Sequence, residues 1–324
     1  MAGRIDLLLG SIDLGTSKGL ELGPLAKPVV TRGMGDVRYL DHIGTDALRA
    51  RYATHAGFDV DSIVPIDYAS GAGSICDAVG ADAPFDYVIA SHVIEHVPDL
   101  IRWLLDIRSV LGDGGVLALA IPDHRRCFDA LRAPTTAADV IHANFTAATT
   151  PSPRQVFDHM ASAVSWHGLI SWEEEPPFAE LVSVHSERAA IDRASEISGS
   201  DEYQDVHCWV FTPSSFVRLF ASLLRLELVP FSLDSCSDPV GGEFFVRLRA
   251  ADVSTATMVA AEPPADVDRM PSTASEHAAL RAELAATRAD RDDARDELDR
   301  TVGSRSWKLT RPLRAFNRAL ARIR

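Results

Sequence analysis

The alternation of short apolar segments with helical patterns over the first 125 residues constrains the fold of this chain more than any other feature. Five apolar segments are predicted strands: 18–23, 36–41, 62–67, 85–91 and 115–121. The last two are almost continuously apolar, which is typical of strands buried on both faces of a sheet. Helical patterns at 45–56 and 100–111 lie between strands. This order predicts an α/β fold with a doubly wound, mostly parallel sheet.

The regular pattern stops at residue 123 and returns at residue 212. Residues 123–211 are polar, proline-rich and aromatic without a single period, and we interpret them as an irregular insert. Thr212 and Pro213 are a helix start signal, and the helix is predicted to run to about residue 224. Apolar segments at 226–233 and 243–248 predict an antiparallel pair at the sheet edge. We therefore expect one domain over residues 1–250, with a seven-stranded Rossmann-like sheet.

Three further segments form a predicted C-terminal extension. Residues 251–275 are rich in Ala, Pro, Thr and Asp and are predicted to be a disordered linker. Residues 276–302 predict a charged helix whose leucines lie near heptad spacing, although Thr287 and Arg291 interrupt the apolar seam. Two interpretations stay open for this helix, a weak coiled coil that binds a second copy or another protein and a solvated spacer. Residues 303–324 are the tail.

Charge and cysteine content exclude several classes of protein. The net charge of −14 argues against a nucleic-acid binder, because contacts with phosphates need positive potential. The four cysteines form no CxxC pattern and are too few for a disulfide framework in a chain of this length. No apolar run approaches the ~18 residues of a membrane span, and the N-terminus does not have the pattern of a signal peptide. We therefore expect a cytoplasmic protein.

Polar residues and a glycine follow the predicted strands at the ends where parallel sheets bind ligands. Glu21 and Gly23 end the first strand, and Ser91 and His92 follow the fourth. Gly23 would let a ligand approach the backbone closely. An aspartate ends the second strand and another ends the third, at Asp41 and Asp67. The carboxylate after the second strand can accept hydrogen bonds from both hydroxyls of a ribose. The carboxylate after the third strand can accept a hydrogen bond from an exocyclic amine such as that of adenine.

Together these segments resemble the class I S-adenosylmethionine-dependent methyltransferases over about residues 15–125. The matching motifs are Gly-Leu-Glu-Leu-Gly-Pro at 19–24, Asp41, Phe-Asp-Tyr-Val-Ile-Ala-Ser-His-Val-Ile-Glu-His-Val-Pro-Asp at 85–99 and Leu-Gly-Asp-Gly-Gly-Val-Leu at 111–117. The resemblance implies S-adenosylmethionine as the cofactor. It implies that the residues binding the cofactor are Glu21 and Gly23 at its amino-acid end, Asp41 at the ribose, Asp67 at the adenine, and Ser91 and His92 beneath the adenine.

The first loop departs from the family pattern. The family has Asp/Glu-x-Gly-x-Gly-x-Gly, whereas here Pro-Leu-Ala-Lys-Pro follows Gly23. About 13 residues separate the first two strands, too few for a full-length crossover helix. A dinucleotide-binding protein is disfavoured, because its phosphates need the Gly-x-Gly-x-x-Gly turn. The alternative function is a non-catalytic scaffold of methyltransferase fold that recruits glycosyltransferases.

The acceptor of the methyl group is expected to bind at the insert. Transfer to a hydroxyl requires loss of its proton, for which a histidine near neutral pKa is suited. His159 and His207 are the leading catalytic candidates, and Asp123 is the carboxylate alternative. Three tryptophans of the insert either stack on sugars or form its core: Trp166, Trp172 and Trp209. No diagnostic ligand spacing is present, so no metal site is predicted.

The tail reverses the charge of the chain. Residues 303–324 contain seven Lys and Arg and no acid, which gives this segment a charge of +7. Because the net charge of the chain is −14, the remaining residues carry −21. Apolar residues at three- and four-residue steps predict a basic amphipathic helix, which is typical of segments that bind an anionic membrane surface. Docking onto the acidic body is the alternative. Residues 304–314 also resemble a tail of bacterial glycosyltransferases and methyltransferases of surface-polysaccharide assembly. These features favour O-methylation of a sugar in a cell-surface polysaccharide or glycolipid by an enzyme peripheral to the inner face of the plasma membrane.

Overall fold

The computed structural model describes residues 3–258 except 56 and 201. The strands are β1 Lys18–Leu22, β2 Asp36–Asp41, β3 Tyr68–Ala69, β4 Phe85–Ser91, β5 Leu111–Pro122, β6 Val164–Ser165, β7 Val182–Ser183, β8 Phe231–Cys236 and β9 Glu243–Ala250. The α-helices are α1 Arg4–Leu9, α2 Thr45–Tyr52, α3 Ile75–Val79, α4 Leu100–Val110, α5 Ala137–Phe145, α6 Pro153–Ser162, α7 Glu187–Ile197 and α8 Pro213–Arg225. Short 3-10 turns lie at Val60–Ser62, Gly80–Asp82, Ile94–His96, His124–Arg126 and Phe178–Glu180.

Seven strands form one mixed sheet in the order β3-β2-β1-β4-β5-β9-β8. The pairs β1–β2, β1–β4, β2–β3 and β4–β5 are parallel. Strand β9 runs antiparallel to both β5 and β8, which closes that edge of the sheet. The order of the strands reverses between β1 and β4, so a crevice is expected beyond the carboxyl ends of these two strands. The predicted α/β fold with seven strands is confirmed.

Apolar residues on both faces explain why the sheet lies in the interior. On one face, α4 and α8 pack against alternate residues of β4 and β5, including Val88 and Leu117. The other face is covered by Leu8 and Leu9 of α1 together with the loop that contains Val29. Residues 23–35, all of which are described, contain no helix. Helix α1 and this loop therefore cover the face that a crossover helix would have covered.

Two predicted strands differ from the structure. Residues 62–67 do not form the third strand, which begins only at Tyr68, because Asp59 caps a 3-10 turn at Val60–Ser62 and Pro65 cannot donate to a strand ladder. The strand predicted over 226–233 is Phe231–Cys236 instead. Glu227 has a φ of 54°, and residues 226–228 donate back to the last turn of α8, so these residues end the helix.

The insert contains α5, α6, α7 and the small β6–β7 ribbon, a regular structure that its sequence did not predict. Of the predicted linker, residues 251–258 are described, and they lie along the outer edge of β8, where Leu233 N donates to Thr257 O at 3.0 Å. The rest of the linker, the charged helix over 276–302 and the tail over 303–324 lie outside the described residues. Within the part that is described, no helix is both long and apolar enough to span a membrane.

Close packing of β1 against β4 requires a glycine at position 19. A Cβ on Gly19 would lie 2.0 Å from the ring of Tyr87, which is fully buried. Gly19→Ala is therefore expected to lower the free energy of unfolding by about 3 kcal/mol, as overpacking of a core does. Chemical denaturation measures this cost, and Tyr87→Leu removes the clashing atoms. Equal costs of Gly19→Ala in the wild-type and Tyr87→Leu backgrounds would contradict this account.

Candidate functional site

The carboxyl ends of β1, β2 and β4 meet at one edge of the sheet. Gly23 follows β1 with a φ of 61°, a conformation that favours glycine, and its N–H donates to Leu40 O at 2.9 Å. Asp41 ends β2 and is 8% exposed. His92 follows β4, also at a positive φ of 54°. A ligand at this edge therefore meets exposed backbone at Gly23 and a carboxylate at Asp41.

Glu21 stabilises the shortened first loop from within. Its side chain is 1% exposed, and its two carboxylate oxygens accept the backbone N–H groups of Val29 and Val30 at 2.7 and 3.1 Å. Burial raises the pKa of Glu21 to about 7, although these two hydrogen bonds oppose the shift. The predicted contact of Glu21 with a cofactor stays a prediction, whereas its contact with the loop is direct.

This environment predicts a specific pH dependence. Because the folded-state pKa of about 7 exceeds the ordinary value of 4.5, the unfolded chain ionises first as pH rises, and stability falls across that interval. The total fall is about 3 kcal/mol. Glu21→Gln cannot ionise, so its stability relative to wild type should rise from pH 4.5 to above pH 7. Urea unfolding across this range measures the difference, and parallel curves would contradict the assignment.

The two aspartates predicted at the ends of β2 and β3 occupy different places. Asp41 Oδ1 accepts the backbone N–H of His42 at 2.7 Å, at the carboxyl end of β2. Asp67 lies before β3, at its amino end, because that strand starts at Tyr68. Its Oδ2 accepts from Tyr39 N and from an Arg32 nitrogen, each at 2.8 Å. The position predicted for Asp67, at a strand's carboxyl end, is therefore wrong, and its contact with adenine stays an untested prediction.

Side chains beside the end of β4 form a charged network with the N-terminal helix. Arg4 Nη2 donates to Ser91 Oγ at 2.7 Å, and Arg4 Nε lies 2.8 Å from Glu243 Oε1. The Nε2 atom of His92 lies 2.9 Å from Glu243 Oε2. Burial opposes ionisation of Glu243, but hydrogen bonds from His92 and Arg4 lower its pKa to about 2. Ser91 and His92 therefore have their side chains engaged by protein groups.

Two of the predicted catalytic residues meet in the insert. The backbone N–H of His207 donates to His159 Nδ1 at 3.1 Å. The Nδ1 atom of His207 lies 2.5 Å from Asp129 Oδ2, and Arg132 Nη1 donates to the other oxygen of Asp129 at 2.9 Å. All three members of this Asp129–His207–Arg132 group are buried. Burial opposes ionisation of Asp129, but His207 and Arg132 lower its pKa to about 2.

The other two catalytic candidates are less suited to removing a proton. Burial lowers the pKa of His159 to about 4, so its imidazole is neutral but a weak base near neutral pH. Asp123 is fully buried and is bound by Arg125, whose Nε donates to Asp123 Oδ1 at 2.9 Å. The ion pair between Asp123 and Arg125 occupies the carboxylate. Of the three candidates, His207 is the best placed to act as a general base, because the Asp129 carboxylate orients its imidazole ring.

The turn after β4 brings Glu95 and His96 to His207. The rings of His96 and His207 are in edge-to-face contact, with centroids 4.7 Å apart. Glu95 is 0% exposed, and neither of its oxygens has a hydrogen bond. Burial would raise the pKa of Glu95, but three surrounding histidines, including His92 at 3.5 Å, lower it. A buried anion thus lies between the end of β4 and the insert.

Most of these partners could not be identified from sequence spacing. Asp205, two positions before His207 in the sequence, lies 3.0 Å from His96 Nδ1 and not beside His207 Nδ1, which Asp129 occupies. The tryptophans favour the core interpretation, because Trp172 and Trp209 are 6% and 3% exposed and their indole N–H groups donate to backbone carbonyls. Glu95 and His96 lie in the family motif at 85–99, and that motif is the feature of the sequence from which their place in the site could be predicted. No feature of the sequence predicts the contact of Arg4 with Glu243, which are 239 positions apart.

Comparison with known proteins shows which family part of the chain resembles. Residues 11–126 match the family profile described as a methyltransferase domain. No curated protein sequence matches the chain. Among solved structures, the CcbJ methyltransferase from Streptomyces caelestis is 17% identical, with a TM-score of 0.26 over 38% of this chain and 52% of that one. A putative S-adenosylmethionine dependent methyltransferase from Listeria monocytogenes is 11% identical, with a TM-score of 0.36 over 74% and 94% of the two chains.

A further solved structure, the complex of DhpI with SAH, is 16% identical, with a TM-score of 0.32 over 72% of this chain and 76% of that one. The chain spans about half the length of CcbJ. Similarities of this size carry no weight in assigning an activity. The profile match and the seven-stranded sheet with its antiparallel last strand do identify the fold. Residues 11–126 therefore match a methyltransferase domain in sequence, and the part of the chain that the structure describes has an α/β fold with a seven-stranded mixed sheet.

Proposed function

We propose that this protein is an S-adenosylmethionine-dependent O-methyltransferase whose acceptor is a sugar of a cell-surface polysaccharide or glycolipid. The observation that carries the transferase assignment is the meeting of two groups at the end of β4. One is the edge of the sheet with Gly23 and Asp41, and the other is the insert with His207. Glu95, which contacts His92 on one side and lies close to His207 on the other, connects them.

The residues at the sheet edge fit the cofactor. Gly23 is exposed, and its positive φ leaves bare backbone where the amino-acid end would lie. The Asp41 carboxylate suits the two ribose hydroxyls. When bound, the cofactor supplies an electrophilic methyl group, and transfer to an acceptor oxygen yields a methyl ether, S-adenosylhomocysteine and a proton.

The chain's own contribution is positioning and handling of the acceptor's proton. Holding two reactants in line contributes much of the rate of such a transfer. We assign the proton to His207, because Asp129, 2.5 Å from its Nδ1 atom, orients the imidazole ring. Arg132, which pairs with Asp129, keeps that carboxylate in place. All three groups are buried, which keeps their charges out of contact with bulk water.

The sugar acceptor and the membrane location rest on the C-terminal sequence. The tail over 303–324 is basic and amphipathic, and residues 304–314 resemble tails of surface-polysaccharide enzymes. In this proposal the tail holds the enzyme near lipid-linked glycans, and residues 276–302 bind a second copy or a glycosyltransferase. Both segments lie outside the described residues. Trp172 and Trp209 do not support sugar stacking, since both are buried.

Mass spectrometry of cell-envelope glycans tests the acceptor. Cells without the gene should lack a glycan species heavier by one CH₂ group, and the wild-type gene should restore it. A gene encoding His207→Gln should restore the protein level without the heavier species. Identical glycans with and without the gene would contradict the assignment to surface glycans.

A further inference from the structure

Within the described part of the chain, Glu95, His96 and His207 form a cluster of three side chains of the kinds that ligate metals. One ligand atom of each lies within 4.8 Å of the others. Glu95 and His96 come from the turn after β4, whereas His207 comes from the insert. We propose that these three residues bind one divalent transition-metal ion of the zinc type, with a coordination position left for an oxygen ligand.

Glu95 provides the first reason. Its side chain is 0% exposed, and both carboxylate oxygens lack a hydrogen-bond partner. A buried carboxylate without hydrogen bonds costs several kcal/mol unless positive charge lies close to it; the neighbouring histidines supply part of that compensation, and a bound cation would supply the rest. Two histidine nitrogens lie near Glu95 Oε1, His92 Nδ1 at 3.5 Å and His96 Nε2 at 3.9 Å. These distances exceed those of ordinary hydrogen bonds and are close to the separation of two ligand atoms on one metal ion.

The histidines provide the second reason. The Nδ1 atom of His207 is hydrogen-bonded to Asp129 at 2.5 Å, whereas Asp205 lies 3.0 Å from Nδ1 of His96 without the geometry of a hydrogen bond. A carboxylate at one ring nitrogen orients the ring, fixes its tautomer and makes the other nitrogen a better ligand. In His207 this leaves Nε2 for the metal. His96 Nε2 is the atom that faces Glu95.

The donor set indicates the class of metal. Two imidazoles and one carboxylate are the ligands of catalytic zinc sites, which keep one position open. Imidazole nitrogens disfavour magnesium and calcium, which prefer oxygen ligands. Ligand atoms around tetrahedral zinc are about 3.4 Å apart, so binding requires the cluster to contract by roughly 1 Å. The side chain of His96 is 28% exposed, which leaves both a way in for the ion and freedom to adjust.

The ion would also refine the role of His207. Resting on the proposed function, an acceptor hydroxyl in the open position would lose its proton more readily, because a bound cation lowers the pKa of an oxygen ligand. His207 would then act through the ion rather than take the proton itself. Since the ligands come from two segments, binding would also fasten the insert to the turn after β4.

Metal binding is measured on the full-length chain without an affinity tag, after treatment with a chelator. Calorimetric titration with Zn²⁺ should show one ion per chain. Glu95→Gln/His207→Gln should bind none, and Asp129→Asn should bind at least tenfold more weakly. His167→Gln is the matched control, since His167 lies near a carboxylate, Glu180, but is exposed and outside the cluster. It should bind as wild type does. Circular dichroism checks that each variant is folded.

X-ray absorption of the loaded wild-type chain provides a test that needs no variant. Two imidazole nitrogens in the first coordination shell support the proposal. No binding by wild type, equal binding by the double variant, or a shell of oxygen ligands alone would overturn it. Binding of S-adenosylhomocysteine is measured in parallel, without metal. If it persists while zinc does not bind, only the metal proposal fails; if it is absent while zinc binds, only the proposed function fails.

Discussion

Asp41→Ala is expected to weaken the binding of S-adenosylhomocysteine by 10- to 100-fold. Hydrogen bonds to a charged group contribute about 1.5–3 kcal/mol, and about 1.4 kcal/mol corresponds to a factor of ten in affinity. Asp41 lies at the carboxyl end of β2, beside the strand that delivers Gly23, and we propose that its carboxylate accepts from the ribose hydroxyls. The dissociation constant from calorimetric titration measures the loss. Asp41→Asn, which keeps one acceptor oxygen, should give an intermediate value.

The other end of the same strand supplies the matched control. Asp36 begins β2 and is exposed, and its carboxylate pairs with Arg38. Asp36→Ala therefore removes one negative charge from the same strand at the opposite edge of the sheet. It should leave the affinity unchanged. If both variants weakened binding equally, or neither did, the cofactor would not lie at the carboxyl edge as we describe.

Arg132→Leu is expected to lower the free energy of unfolding by about 3–5 kcal/mol, because it leaves the buried carboxylate of Asp129 without its cation. Only 3% of the Arg132 side chain is exposed, and its guanidinium donates to Asp129 at 2.9 Å and to Asp158 at 2.8 Å. It also donates to the carbonyl of His207 at 2.9 Å. Loss of these hydrogen bonds should therefore disorder the insert around His207. Urea unfolding followed by tryptophan fluorescence measures the change in the free energy of unfolding.

An exposed ion pair of similar length provides the comparison. Arg154 lies 2.7 Å from Asp139, but 78% of its side chain is exposed. Arg154→Leu should cost less than about 1 kcal/mol, since exposed ion pairs contribute little. A similar cost for Arg132→Leu would mean that the buried pair does not hold the insert together.

The part of the fold that the sequence predicts is the part with local signals. Strands β2 and β4 have the predicted bounds, and α8 begins at the predicted Thr212–Pro213 cap. These elements are apolar runs or carry their own capping residues. The prediction of the third strand at 62–67 is wrong, because the apolar residues there, including Ile63, are buried in a loop rather than paired in the sheet.

In the candidate site, too, the residues with local sequence signals were predictable and the others were not. Gly23, Asp41 and His92 lie at the strand ends, as predicted, because strand ends can be read from the chain. The partner of His207 could not be read, since Asp205 is its neighbour in sequence but Asp129 is its neighbour in space. The insert folds through contacts that are distant along the chain, such as the pairing of Arg132 with Asp158. Such contacts depend on tertiary packing, which a single sequence does not encode as a local pattern.

Titration of the purified full-length protein with S-adenosylhomocysteine tests the central claim most directly. The claim is that the edge with Gly23 and Asp41 binds the cofactor of a methyltransferase, despite the shortened loop that Glu21 holds. We expect saturable binding with one site per chain. Absence of binding up to about 1 mM, where the free energy of binding is only about −4 kcal/mol, would contradict the claim.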